Sequence, residues 1–215
     1  SLRTFSEWLA PRPPTAAPTE EIEQFLDGRD LAAKGRYVWI SLLHCFYEWA
    51  IRAGEADHDP TAVIIRPKLR KRLPRPVSDQ SLELALEQTA DADLRAWVVL
   101  AAFAGFRCIE IANLEHDGLI DTPDGLVLQV VGKGDKERVV PAHPQVVAAL
   151  ERHGIPRRGR MFVHPSGRPW TPAQVSQRAN RHLREIGVPE TFHQFRHWFG
   201  TRVYAEVRDL RVTQE

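Results

Sequence analysis

Residues 66–76 limit the fold more than any other segment of the 215-residue chain. Pro67, Pro74 and Pro76 each lack a backbone donor and clash with a helix running into them, so no helix passes through this stretch. Arg66, Lys68, Arg70, Lys71, Arg72 and Arg75 fall in it without one acidic neighbour, which favours exposure. The segment reads as a basic interdomain linker. It divides the chain into a helical module, residues 1–65, and a larger domain, residues 77–215.

Hydrophobic spacing fills in the two parts. Thr19 ahead of Ile22, Phe25 and Leu26 suggests a capped helix ending near Gly28. Over residues 32–53, Trp39, Leu42, Leu43, Phe46, Trp49 and Ala50 recur three and four apart, the pattern of one buried helix face, with Cys45 beside it as a small packing residue. In the second part, helices are expected over residues 79–89, 92–106, 108–114, 144–153, 172–185 and 192–207. Residues 126–131 and 137–141 read as two strands around a glycine-rich turn at 132–136. The expected class is mainly α with a small β-sheet.

Charge adds a second constraint. The net charge of +1 conceals a balance of −4 over residues 1–65 and +5 over residues 66–215. A basic linker suits a phosphate backbone, because neutralising phosphates releases counterions. Cys45 and Cys108 are too few for a disulfide framework, pointing to a reducing, intracellular setting. No apolar run is long enough to cross a bilayer, and the amino terminus lacks a signal-like segment, so a soluble protein is expected.

Three short segments concentrate polar chemistry. Arg107 follows Gly105 at the end of an apolar run, where a guanidinium needs either an anionic ligand or a pair with Glu110 three residues on. Lys133 sits between glycines in the turn, able to approach a phosphate or protonate a leaving oxygen, or simply to solubilise the turn. Lys136 and Arg138 make the same turn positive and could serve as phosphate-backbone contacts. His193, Arg196 and His197 share one helix face, where arginine can fork onto phosphate oxygens and histidine can exchange a proton. Ordinary surface pairing would use the same spacing. Zinc is disfavoured, because no cysteine or carboxylate completes a site around His193 and His197 and Arg196 would sit beside the metal.

Taken in order, these segments resemble the phage integrase, or tyrosine recombinase, family. Ala104-Gly105-Phe106-Arg107 with Glu110 and Leu114 resembles its first catalytic-arginine motif, residues 131–141 its β-hairpin lysine motif, and His193-Gln194-Phe195-Arg196-His197 its His-x-x-Arg signature. The resemblance implies a two-domain clamp, a helical core-type DNA-binding domain plus an α+β catalytic domain. It also implies site-specific strand transfer through a 3'-phosphotyrosyl intermediate, with no metal or energy cofactor. Arg107 and Arg196 would stabilise the scissile phosphate, Lys133 would protonate the leaving 5'-oxygen, His193 would orient phosphate or move a proton, and Glu110 and His197 would support them. The linker cations, with Lys136 and Arg138, would follow the DNA backbone. Type IB topoisomerases share part of this chemistry, but the context of the histidine motif is closer to an integrase.

One departure matters. The family's nucleophilic tyrosine is expected some 30 residues past the second arginine, whereas 19 residues follow Arg196. Tyr37 and Tyr47 fall in the amino-terminal module, and Tyr204 lies about 12 Å along the same helix as Arg196. The expectation is therefore a fragment truncated at its carboxyl end, by nature or by preparation, that binds duplex DNA and does not cleave it. The alternative is a natural noncatalytic or regulatory derivative. The partners implied are attachment-site DNA, a tetramer on two sites for the complete enzyme, a monomer for the isolated chain, and a directionality factor. The setting implied is bacterial or host cytoplasm, the source a phage or mobile element.

Overall fold

A computed structural model of the protein describes residues 1–70, 75–131 and 137–208. They form two compact units, Ser1–Arg72 and Leu73–Glu215.

In the first unit, α1 (Leu2–Leu9), a short 3-10 turn (Pro14–Ala16), α2 (Thr19–Asp27) and α3 (Ala33–Ala53) surround one apolar core. Each helix contributes residues three or four apart: Phe5 and Leu9, then Ile22, Phe25 and Leu26, then Ile40, Leu43, Tyr47 and Ala50. Phe25 is the centre, with the rings of Phe5, Trp8 and Trp39 at 4.9, 5.4 and 5.1 Å and the Arg29 guanidinium 4.4 Å from its centroid. Gly54 ends α3 with φ +75°, where a side chain would be strained.

Three expectations for this unit are corrected. Thr19 does not cap α2; it is the first helical residue after Pro18, and its hydroxyl donates to the Pro60 carbonyl at 2.8 Å. Trp49 is 55% exposed, and Tyr47 is buried on the inward stripe. Six residues beyond Leu43 is about 240° around the helix, whereas four residues is about 40°, so Tyr47 follows Leu43 inward and Trp49 does not. The buried Tyr47 hydroxyl donates to the Pro14 carbonyl at 2.6 Å, which removes the penalty of an unpaired polar group. Cys45, expected to pack, is exposed.

The second unit contains α4 (Asp79–Gln88), α5 (Ala92–Phe103), α6 (Cys108–Asn113), β1 (Leu119–Thr122), β2 (Gly125–Val131), β3 (Glu137–Pro141), α7 (Pro144–His153), α8 (Pro172–Glu185) and α9 (Phe192–Val207). Helix α5 is the central post: Leu94 and every residue from Ala96 to Ala102 are buried, as expected of a helix that is apolar all round. It packs against α4, α7, α8 and α9. The sheet is antiparallel in the order β1-β2-β3. Strand β1, four residues of mixed burial, has no clear sequence signal and was not expected. Expected to reach Phe106, α5 stops at Phe103, and Gly105 at φ +63° turns the chain. Among the described residues, no helix is long and apolar enough to cross a membrane.

Candidate active site

The turn after α5 fixes the first arginine. A Cβ on Gly105 would lie 2.4 Å from Phe199 Cδ1, so the missing side chain lets α9 lie directly against this turn. Phe106 is buried, and Arg107 takes the extended conformation of an N-cap, starting α6. One turn into α6, Glu110 reaches back to accept the Arg107 backbone N–H at 2.7 Å. The first arginine and its carboxylate are thus locked by local helix-start geometry.

Glu110 is the hub. Its side chain has no exposure, and its two oxygens take four donors. Oε1 accepts from Arg107 Nη1 at 2.8 Å and Arg138 Nη1 at 2.6 Å; Oε2 accepts from the Arg107 backbone at 2.7 Å and Arg138 Nη2 at 2.9 Å. Arg196 Nη1 lies 3.9 Å from Oε2, close enough for attraction and too far for a hydrogen bond. Burial alone would raise the Glu110 pKa. The hydrogen bonds from Arg138 and Arg107 outweigh it and bring the carboxyl down to about 2.

Helix α9 supplies the opposite side. Asn180 Oδ1 accepts the N–H of Phe192, the first helical residue, at 2.8 Å, and Gln194 Oε1 accepts the N–H of the N-cap Thr191 at 2.8 Å. Phe192 and Phe195 anchor the helix in the core, leaving Arg196 one-quarter exposed. Burial, followed by repulsion from Arg107 and partly offset by Glu110, lowers the Arg196 pKa to about 10. The rings of His193 and His197 meet edge to face at 4.6 Å. His193 lies at the surface, and partial burial, followed by His197, Arg196 and Arg107, lowers its pKa, which favours the neutral imidazole.

Three guanidiniums around one carboxylate leave a charge of +2 on these four groups. Arg107 is 44% exposed and gives Glu110 one guanidinium donor, Nη1. Such an arrangement can take a tetrahedral oxyanion, whose charge would relieve the repulsion that depresses Arg196. No group of three His, Cys, Asp or Glu that could hold a metal ion occurs among the described residues.

The structure therefore gathers Arg107, Glu110, His193, Arg196 and His197. Lys133, Lys136, Lys71 and Arg72 lie outside the described residues. Arg66, Lys68, Arg70 and Arg75 are exposed. Arg138 is a correction: expected to contact DNA from the turn, it turns inward onto Glu110 with 19% of its side chain exposed. The signal was strand alternation, which puts Arg138 and Val140 on the same, more enclosed face of β3. Asn180 was missed because its contact spans twelve residues and no local pattern marks it.

Residues 61–215 match the phage integrase family. The tyrosine recombinase XerD of Lacticaseibacillus casei is 31% identical, aligned over 100% of this chain and 79% of its own length. The tyrosine recombinase XerC of Rhodospirillum centenum is 33% identical over 100% of this chain and 63% of its own length. Against several curated relatives, then, the chain spans less than two thirds of their length. Among solved structures, the integrase of mycobacterium phage Brujita is 32% identical with a TM-score of 0.59, covering 94% of this chain and 69% of that one. A lambda integrase dimer bound to a COC' core site superposes with a TM-score of 0.73 over 99% of this chain and 64% of that one; at 20% identity it speaks to the fold alone.

Proposed function

The chain belongs to the phage integrase family of tyrosine recombinases, and from that we propose that its second unit binds the scissile phosphate of duplex DNA. The observation behind this is the +2 cluster of Arg107, Arg138 and Arg196 on the buried Glu110. In the reaction proposed for an active enzyme, a tyrosine hydroxyl passes its proton to a base such as His193 and attacks phosphorus, the P–O5' bond breaks as the departing 5'-oxygen takes a proton from an acid, and the phosphate remains on the enzyme as a 3'-phosphotyrosine. Arg107 and Arg196 stabilise the charge gathering on the nonbridging oxygens, which preorganised donors do without reorganisation. His193, whose neutral form its cationic neighbours favour, can donate to phosphate or pass a proton. Lys133 is the proposed acid for the leaving oxygen. Glu110 holds the arginines, His197 supports His193, and no step needs a metal or energy cofactor.

The first unit is proposed as the core-type DNA-binding module, and the cations of the basic linker, Arg66, Lys68, Arg70, Lys71, Arg72 and Arg75, are proposed to lie on phosphates. Attachment-site DNA, four protomers on two sites and a directionality factor are the partners proposed for an active enzyme.

We further propose that these 215 residues bind DNA without cleaving it. Two tyrosines support this reading: Tyr47 is buried with its hydroxyl on Pro14, and Tyr204 lies eight residues along α9 from Arg196, about 12 Å. The same placement favours a second reading, a regulatory derivative that retains the pocket. In the test, the purified 215-residue polypeptide is mixed with nicked duplexes carrying a randomised core. Salt-sensitive binding without a covalent adduct is expected, and an adduct mapping to any of the three tyrosines would overturn the proposal.

A further inference from the structure

We propose that Arg138 is a positioning residue: by saturating Glu110, it keeps the Arg196 guanidinium free for an anion. A carboxylate offers about four acceptor sites, two on each oxygen. In Glu110 all four are taken, two by Arg107 and two by the Arg138 fork. Arg196, the remaining cation, is left at 3.9 Å from Oε2, beyond hydrogen-bond reach. Were the two Arg138 donors withdrawn, a fully buried, ionised carboxylate would have two empty sites with Arg196 beside it. The two would close into a direct pair, because an unsatisfied buried charge is costly. Arg196 would then spend donors on Glu110 that the phosphate requires.

The geometry fits a device of this kind better than a simple structural tie. Arg138 enters from β3, Arg107 from the start of α6 and Arg196 from α9, so one carboxylate ranks three cations by their distance from it. Arg138 is also the least exposed of the three side chains, at 19%, against 25% for Arg196 and 44% for Arg107, and is the least available to a ligand. Its guanidinium also lies 5.8 Å from the centroid of the buried Phe106 ring, which helps to hold its plane in register with Glu110. Lysine could not reproduce the planar fork.

This rests on the phosphate-site reading above, and the test separates the two. On the 215-residue protein, NMR measures how fast the Arg196 guanidinium rotates about its Nε–Cζ bond, with no anion present. In Arg138→Gln that rotation is expected to slow about tenfold as Arg196 pairs with Glu110. Arg138→Lys, which preserves charge but vacates at least one acceptor site, is expected to move the same way by less and guards against misfolding of the first variant. Unchanged or faster rotation in a folded variant would overturn the proposal. Tungstate, a phosphate mimic, is then titrated calorimetrically. Arg138→Gln is expected to bind it about tenfold more weakly, and Arg138→Gln combined with Glu110→Gln to recover part of that loss, because the carboxylate that quenches Arg196 is gone while Arg107 loses its anchor. A merely structural tie would show no recovery, and that result also overturns the proposal. Absence of tungstate binding by the unaltered protein, with the rotation effect intact, would sink the phosphate-site reading alone.

Discussion

Glu110 is the residue on which the site depends most heavily. Replacing it with Gln keeps the shape and removes the charge, leaving Arg107, Arg138 and Arg196 to repel one another. Breaking a buried pair of this kind costs about 3–5 kcal/mol. Because Arg107 is 44% exposed and screened by solvent, we expect Glu110→Gln to lose about 2–3 kcal/mol in urea denaturation at pH 7. The pH dependence has a definite sign. With the folded pKa depressed from 4.5 to about 2, the carboxylate stabilises the protein above its unfolded value, and this is lost as pH falls through about 2. The stability gap between native and Glu110→Gln protein should therefore narrow from pH 5 downward, and a gap that stays constant to pH 2.5 would contradict the hub role. At this scale the sequence exposed Arg107, Glu110, His193 and Arg196, because their spacing is local to one helix turn. It did not expose Arg138's partner, since residue 138 and residue 110 meet only through the fold.

Among the elements, α5, α6 and α9 set the site, and their junction is the Gly105 turn. Gly105→Ala would incur the left-handed backbone cost of about 1–2 kcal/mol and the clash with Phe199. A total loss of about 2–4 kcal/mol in thermal or urea unfolding is expected, with Phe199→Leu in the same chain recovering only the steric share. On the far side of α5, Asp93 accepts from His153 of α7 at 2.8 Å and from Arg178 of α8 at 3.2 Å, joining three helices. The Asp93 hydrogen bond raises the His153 pKa, so this contribution is complete below 6.5 and fades as pH rises through the raised value. His153→Gln should flatten the loss of urea stability between pH 6 and 8.5, and an unaltered slope would show that the pair does not couple to folding. Helices of the second unit were legible because their apolar spacing and capping residues are local. Strand β1 was not, because its four residues alternate weakly and acquire strand character only by pairing with β2. In α3 a choice between two adjacent stripes, Leu43 with Tyr47 or Phe46 with Trp49, was decided by the neighbouring helices, which no single-helix pattern can see.

For the molecule as a whole, the division of labour between affinity and chemistry is the point at issue. Neutralising Arg70, Lys71 and Arg72 should flatten the plot of log affinity for duplex DNA against log salt by about 0.9 for each phosphate left without its cation. The phosphate site, in contrast, should contribute little to bulk affinity and nearly all of the discrimination for a lone tetrahedral oxyanion. That separation makes calorimetric titration of the 215-residue protein with tungstate the most direct measurement. Stoichiometric binding is expected, weakened about tenfold or more by Arg196→Ala and by Arg107→Ala, with duplex affinity at moderate salt nearly unchanged. Tungstate binding that survives both substitutions in folded protein, or that never occurs, would contradict a phosphate site built on these arginines.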